Sequence, residues 1–114
     1  MTAGQVFTKA MQLLGYVTDG HSGGIKSRAI ALINAAYVDV CRASRTNFEP
    51  IKTLAEKFAL DSTIITDVLV YGVAMFIAQS EGDSAMQAVY CDLYNRKRGS
   101  LATTDAIIDV LPRG

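Results

Sequence analysis

From Ser62 to Ser80 the chain reads STIITDVLVYGVAMFIAQS, a helical pattern that is apolar almost all the way round. Ile64, Ile65, Val68, Leu69, Val70, Val73, Met75, Phe76 and Ile77 cover most of the circumference, and a helix of that kind must be enclosed on every side. Asp61 supplies a good N-cap, and Leu60 with Ile65 a hydrophobic staple across it. Gly72 leaves room for the close approach of another helix. The rest of the chain must therefore wrap this segment, which predicts an all-α, single-domain bundle of about four to five helices.

The flanking patterns supply the wrapping helices. Thr2-x-x-Gln5 reads as a capping box, and Val6, Ala10, Leu13 and Leu14 follow on one helical face. Gly15 ends this first helix, because glycine tolerates the left-handed C′ conformation. Thr18 to Gly24, TDGHSGG, is a turn segment. From Ile25, the set Ile25, Ala29, Leu32, Ile33, Ala36, Tyr37, Val40, Cys41 holds a helical spacing, with Lys26, Asn34, Asp39 and Arg42 on the opposite face. Asn47-Phe48-Glu49-Pro50 breaks it, since a residue before proline is pushed out of the α region. A shorter helix is expected over Ile51 to Phe58. After the central helix, Asp83 caps a last helix that runs to about Lys97, with Gly99 stopping it.

A chain of 114 residues, half of them apolar and 19% charged, is long enough to bury one core without staples. Eleven basic residues balance eleven acidic ones, so no whole-molecule field draws it to nucleic acid or to an anionic membrane. Any such contact is local. Cys41 and Cys91 lie inside apolar helical patterns and lack the spacing of a zinc site; buried free thiols are the plain reading and a disulfide the alternative. The first residues show no secretory signal, and no uninterrupted apolar run reaches the ~20 residues of a membrane span. These features lead us to expect a soluble protein, made in the cytoplasm, with no membrane partner.

The inventory for chemistry is thin. His21, the one histidine, stands in the Gly/Ser/Asp turn with no partner at a motif spacing. Gly20-His21-Ser22-Gly23-Gly24 lacks the arrangement of a phosphate loop and follows no strand. Glu81 and Asp83 flank a helix break and offer too few oxygens for a metal. No enzyme, cofactor or metal is expected. Leu54 to Leu69 does resemble a helix-turn-helix signature, with Ala55 in the first helix and Ile64 and Leu69 as packing positions. That makes a DNA-binding regulator using residues 51–70 the alternative function. Against it, the recognition helix would offer Ser62, Thr63, Thr66 and Asp67 to the groove, with no side chain suited to bidentate base contacts. The neutral chain also lacks a basic footprint.

The final helical pattern is a narrow seam, Met86, Val89, Tyr90, Leu93, Tyr94, that ends in Arg96-Lys97-Arg98. Cations in a last helical turn offset the helix dipole, which alone suffices to explain them. Repeated in a closed oligomer, with Arg28, Arg42 and Arg45 as candidate additions, they make a ring of positive charge. Tyr71-Gly72-Val73-Ala74-Met75, then Ala78-Gln79-Ser80-Glu81-Gly82-Asp83, then Leu93-Tyr94-Asn95-Arg96-Lys97-Arg98 resemble a segment of the small head–tail connector (adaptor) proteins of tailed bacteriophages and prophages. The resemblance implies a structural subunit of the virion, made in the host cytoplasm. In that family, copies form a closed ring between the portal of the DNA-filled head and the tail or head-closure proteins, and the ring is part of the DNA passage.

On that reading Tyr71, Met75, Phe76, Met86, Tyr90 and Tyr94 pack the hinge between the last two helices. Arg96, Lys97 and Arg98 are candidate contacts to neighbouring subunits or, without sequence preference, to passing DNA. Beyond Gly99 the composition shifts to Ser, Thr and Asp, followed by AIIDVLP. A β-branched run there has little surface of its own to bury. Residues 1–102 are thus expected to form the helical domain and 103–114 an extended C-terminal arm. Its contacts would be Ile107, Ile108, Val110 and Leu111, paired on an edge or set in a groove of a neighbouring subunit; a frayed tail is the other outcome.

Overall fold

The computed structural model describes residues 1–16, 25 and 27–110, with residues 102–110 given by their backbone. Among them are four helices and no strand: α1 (Ala3–Leu13), α2 (Ala29–Ser44), α3 (Ser62–Ser80) and α4 (Ser84–Val110). The all-α bundle predicted by the pattern is the observed architecture. Helix α3 lies at its centre, packed by α1, α2 and α4. Val70, Gly72, Val73, Ala74, Ile77 and Ala78 are all buried, as its nearly continuous apolar surface requires. Its 19 residues, with a mean hydropathy of 1.5, are long and apolar enough to cross a membrane, but half of that length is buried against the protein's own helices.

Local chemistry explains most helix ends. The capping box at α1 is complete: Gln5 N–H donates to Thr2 Oγ1 at 3.2 Å, and Thr2 N–H to Gln5 Oε1 at 2.8 Å. Gly15 follows α1 with φ +73°, the conformation that a helix stop of this kind requires. Asp83 Oδ1 accepts from Met86 N–H at 3.2 Å and so caps α4. Asp61 does occupy the N-cap of α3, but its side chain makes no capping hydrogen bond. Five residues of α3, Ile65–Leu69, form a π-turn in which Val70 N–H reaches back to Ile65 C=O. The extra residue in the turn lets Val68, Leu69 and Val70 be buried in succession.

Three expectations are corrected. Residues 51–58 form no helix; they make turns closed by Glu56 Oε2, which accepts from Lys52 N–H at 2.8 Å and Thr53 N–H at 2.6 Å. Those two bonds hold the Glu56 carboxyl below the usual carboxylate range. The segment serves α1 instead. Ala3 N–H donates to Glu56 C=O at 2.7 Å and Gly4 N–H to Leu54 C=O at 2.9 Å, beside an antiparallel bridge between Thr2 and Lys57. Orphan donors of the α1 N-terminus thus find partners 50 and 53 residues away, where helix periodicity carries no signal. A helix-turn-helix over residues 51–70 lacks its first helix.

Gly99 does not stop the last helix, which passes through it to Val110. A Cβ at Gly99 would meet no atom within 4 Å, so the residue is an exposed helix-interior glycine with a cost of propensity only. The backbone of residues 103–110 continues α4 beyond the packed part of the helix. The third correction concerns Cys91, which is half-buried and free; Cys41 is buried and free. The turn at Thr18–Gly24 with His21, the position of Lys26 and the arm residue Leu111 lie outside the described residues.

Candidate functional site

The residues Tyr71 to Arg98 fold as a hairpin of α3 and α4, turning at Glu81-Gly82-Asp83, where Gly82 has φ +70°. Its tightest point is Gly72. A Cβ built there would lie 2.7 Å from Cε1 of Tyr94, so the absence of a side chain lets the Tyr94 ring seat against the backbone of α3. Tyr94 is 1% exposed. Its hydroxyl donates to Asp39 Oδ2 at 2.6 Å, and Arg98 Nη1 donates to the same oxygen at 2.6 Å. One carboxylate on α2 therefore fastens two residues of α4, one turn apart. Burial, and then the bond to Asp39, push the Tyr94 phenol far above the ordinary tyrosine value; the same carboxylate raises Arg98.

A second ladder runs beside it. The Tyr71 and Tyr90 rings lie 6.1 Å apart at 36°, and Lys97 Nζ stands 4.5 Å from the centre of the Tyr71 ring, a cation–π distance. Tyr90 closes the ladder toward α1 by donating its hydroxyl to Leu13 C=O at 2.8 Å. At the turn, Tyr16 donates to Asp83 Oδ2 at 2.9 Å, and burial with that carboxylate pushes its phenol up to about 12. Arg28 reaches the same turn, with Nε to Ser80 Oγ at 2.9 Å and Nη2 to Glu81 Oε2 at 2.8 Å.

Of the six residues expected to pack the hinge, Tyr94 is buried, while Tyr71, Met75, Phe76 and Tyr90 are half-buried against the core. Met86 is not part of it. It is 37% exposed and Val89 is 51% exposed, because the packed stripe of α4 runs through Tyr90, Tyr94 and Leu101, leaving these two seam residues on the outside. Arg96, Lys97 and Arg98 are each engaged within the chain: Arg96 Nη2 with Asp92 Oδ2 at 2.8 Å, Lys97 with Tyr71, and Arg98 with Asp39. Arg28 does not join them, since it binds the turn before α4, roughly 20 Å of helix away from Arg98. Arg42 is exposed in the last turn of α2, one turn beyond Asp39, at the Arg98 end.

Periodicity places Asp39 on the outer face of α2; its position opposite Arg98 is a tertiary fact that this periodicity does not carry. Arg98 also donates to Asn95 Oδ1 at 2.9 Å, so the guanidinium is held from two sides. Among the described residues no group of three His, Cys, Asp or Glu side chains stands close enough to hold a metal. What the arrangement does chemically is fix geometry. It sets α4 at a defined angle and register on α3 and α2, and it presents Met86 and Val89, together with the paired Asp92 and Arg96, on the outer surface. No protein-family model, no curated protein and no solved structure matches this chain.

Proposed function

We propose that this protein is a structural subunit of the head–tail connector ring of a tailed bacteriophage or prophage. Copies of it would form a closed ring in the virion at the head–tail interface, bridging the portal and the tail or head-closure proteins and contributing to the DNA passage. The observation that supports this reading is the α3–α4 hairpin itself. The residues that carry the family resemblance, Tyr71 to Arg98, make one interlocked unit through Gly72, Tyr94, Asp39 and Arg98. A subunit that must repeat around a ring benefits from such rigidity, because small angular errors accumulate at each heterologous contact and prevent closure.

Pairing within the chain also bears on the basic run. With Arg96 and Arg98 already matched to carboxylates, the reading favours Arg96, Lys97 and Arg98 as a positioned edge toward neighbouring subunits over a strong DNA-binding patch. The test is the solution mass of the purified protein, alone and with portal rings, by light scattering after size exclusion. Rings, or a monomer recruited in fixed stoichiometry onto the portal, bear the proposal out. A stable dimer that ignores the portal sinks it.

A further inference from the structure

Helix α4 carries a second pattern, on the side away from the bundle. Tyr90, Tyr94 and Leu101 face the core. On the far side stand Ala85, Val89, Asp92, Arg96 and Gly99, all exposed. They follow one another at intervals of four, three, four and three residues, so at about 100° per residue they share an arc roughly 80° wide, centred opposite Tyr94. That alternation is the seam of a two-stranded coiled coil, and among the described residues no second helix of this chain covers it.

The composition of the seam names its occupant. Val89, 51% exposed, is the most exposed of the large apolar side chains among the described residues. Gly99 is an open notch, where a Cβ would meet no atom within 4 Å. Asp92 and Arg96 lie between them, with their side chains 69% and 68% exposed. This order is complementary to its own reverse. When two such helices lie antiparallel with position 94 beside the two-fold axis, Val89 meets the partner's Gly99 and Asp92 meets the partner's Arg96, and each contact occurs twice. A parallel pair would instead set Asp92 on Asp92 and Arg96 on Arg96, like charge on like. The charges therefore select the antiparallel register.

We propose that α4 pairs with α4 of a second copy, antiparallel and two-fold, along Ala85, Val89, Asp92, Arg96 and Gly99. Each Asp92 keeps the 2.8 Å bond to its own Arg96 and gains the partner's guanidinium, which closes a set of two carboxylates and two guanidiniums across the axis. Gly99, a cost to α4 taken alone, is the notch that admits the partner's Val89. The seam is about 21 Å long, two heptads, so the pair is weak, with a Kd on the order of 0.1 mM. The inference goes beyond the connector reading, since a two-fold contact closes on itself and builds no ring; it belongs to the free chain.

The test exchanges the charges in the full-length protein. Asp92→Arg makes the seam wholly basic and Arg96→Asp makes it wholly acidic, so each variant repels its own copy while a mixture restores both cross-pairs. The Asp92→Arg chain, labelled at its terminal amine, is titrated at about 0.15 M salt with the Arg96→Asp chain or with unlabelled Asp92→Arg, and anisotropy is read. The mixed pair should saturate and bind at least about tenfold tighter than the like pair. Val89→Ser in the titrant leaves every charge in place and should weaken the mixed pair by about fivefold, with circular dichroism reporting the fold of each variant. No saturation up to about 1 mM, a mixed pair within about twofold of the like pair, or one that Val89→Ser leaves within about twofold, overturns the inference. Portal rings separate it from the connector reading. Portal recruitment without charge-swapped pairing removes the α4 contact alone; pairing without portal recruitment keeps that contact and sinks the connector.

Discussion

Tyr94 occupies the space that any side chain at position 72 would need: a Cβ on Gly72 would come within 2.7 Å of its ring, which is itself fastened by Asp39 and cannot swing aside freely. Gly72→Ala is therefore an overpacking substitution, expected to cost about 1–3 kcal/mol. Gly99→Ala makes the opposite test within the next helix. Its Cβ enters open space, and replacing a helix-interior glycine should gain up to about 1 kcal/mol. Urea denaturation of the two variants should move in opposite directions.

Asp39 accepts hydrogen bonds from two partners, so its loss differs in kind from the loss of either one. Tyr94→Phe removes one bond to a half-exposed carboxylate and should cost about 1 kcal/mol. Asp39→Ala leaves the buried Tyr94 hydroxyl without its acceptor and should cost more, about 2–3 kcal/mol. Arg96→Ala, which breaks an exposed i,i+4 pair, should stay within about 0.5 kcal/mol. A ranking in which Arg96→Ala matches Asp39→Ala would remove the Asp39 lock from the account.

Alkaline pH should unfold the protein through its tyrosines. The phenols of Tyr16, Tyr37, Tyr90 and Tyr94 are all raised in the folded chain, chiefly by burial. A raised folded value means that the folded state holds protons the unfolded state has released once the pH exceeds the ordinary tyrosine value of about 10. Their contribution to stability is intact below pH ~10 and is lost as the pH climbs from there. Absorbance of tyrosinate should show Tyr16 titrating near 12, and Tyr94 ionising only together with loss of helical circular dichroism.

The two thiols should separate kinetically. Burial pushes the Cys41 thiol up and keeps it on the inner face of α2, where its weak contact is to Asn47 C=O at 3.9 Å. Cys91 is half-exposed on α4. A disulfide-exchange reagent at neutral pH should titrate one thiol quickly, and the second only as denaturant is added. Two equally fast thiols would contradict the packing of α2.

Deletion of residues 103–114 should leave the domain folded, since the packed stripe of α4 reaches Leu101. The truncated chain should keep its helical circular dichroism and midpoint while failing to assemble on portal rings. A truncation that lowers the midpoint by several degrees would show that the arm belongs to its own core.

Features written in local chemistry were legible in advance. The Thr2–Gln5 capping box, Gly15 as a helix stop, Asp83 as a cap, Gly72 as a close approach and the enclosure of Ser62–Ser80 each depend on a few neighbouring residues or on one periodicity. What failed depends on residues far apart. The segment Ile51–Phe58 has a fair helix composition, but its backbone carbonyls are claimed by the start of α1. Gly99 looks like a stop, yet the helix passes through it. Met86 belongs to a seam by spacing, but the neighbouring stripe through Tyr90 and Tyr94 wins the contact with α3. Asp39, the residue that fixes the hinge, gave no signal because its partners lie 55 and 59 residues later.

The bonds from α1 to Leu54 and Glu56, and from Tyr90 to Leu13 across 77 positions, set an order on the ribosome. Helix α1 leaves the exit tunnel with the Ala3 and Gly4 donors unmatched until residue 56 emerges, and with the Leu13 carbonyl unclaimed by Tyr90 until residue 90 does. During synthesis α1 is a helix waiting for its bundle, with its apolar face open to a chaperone.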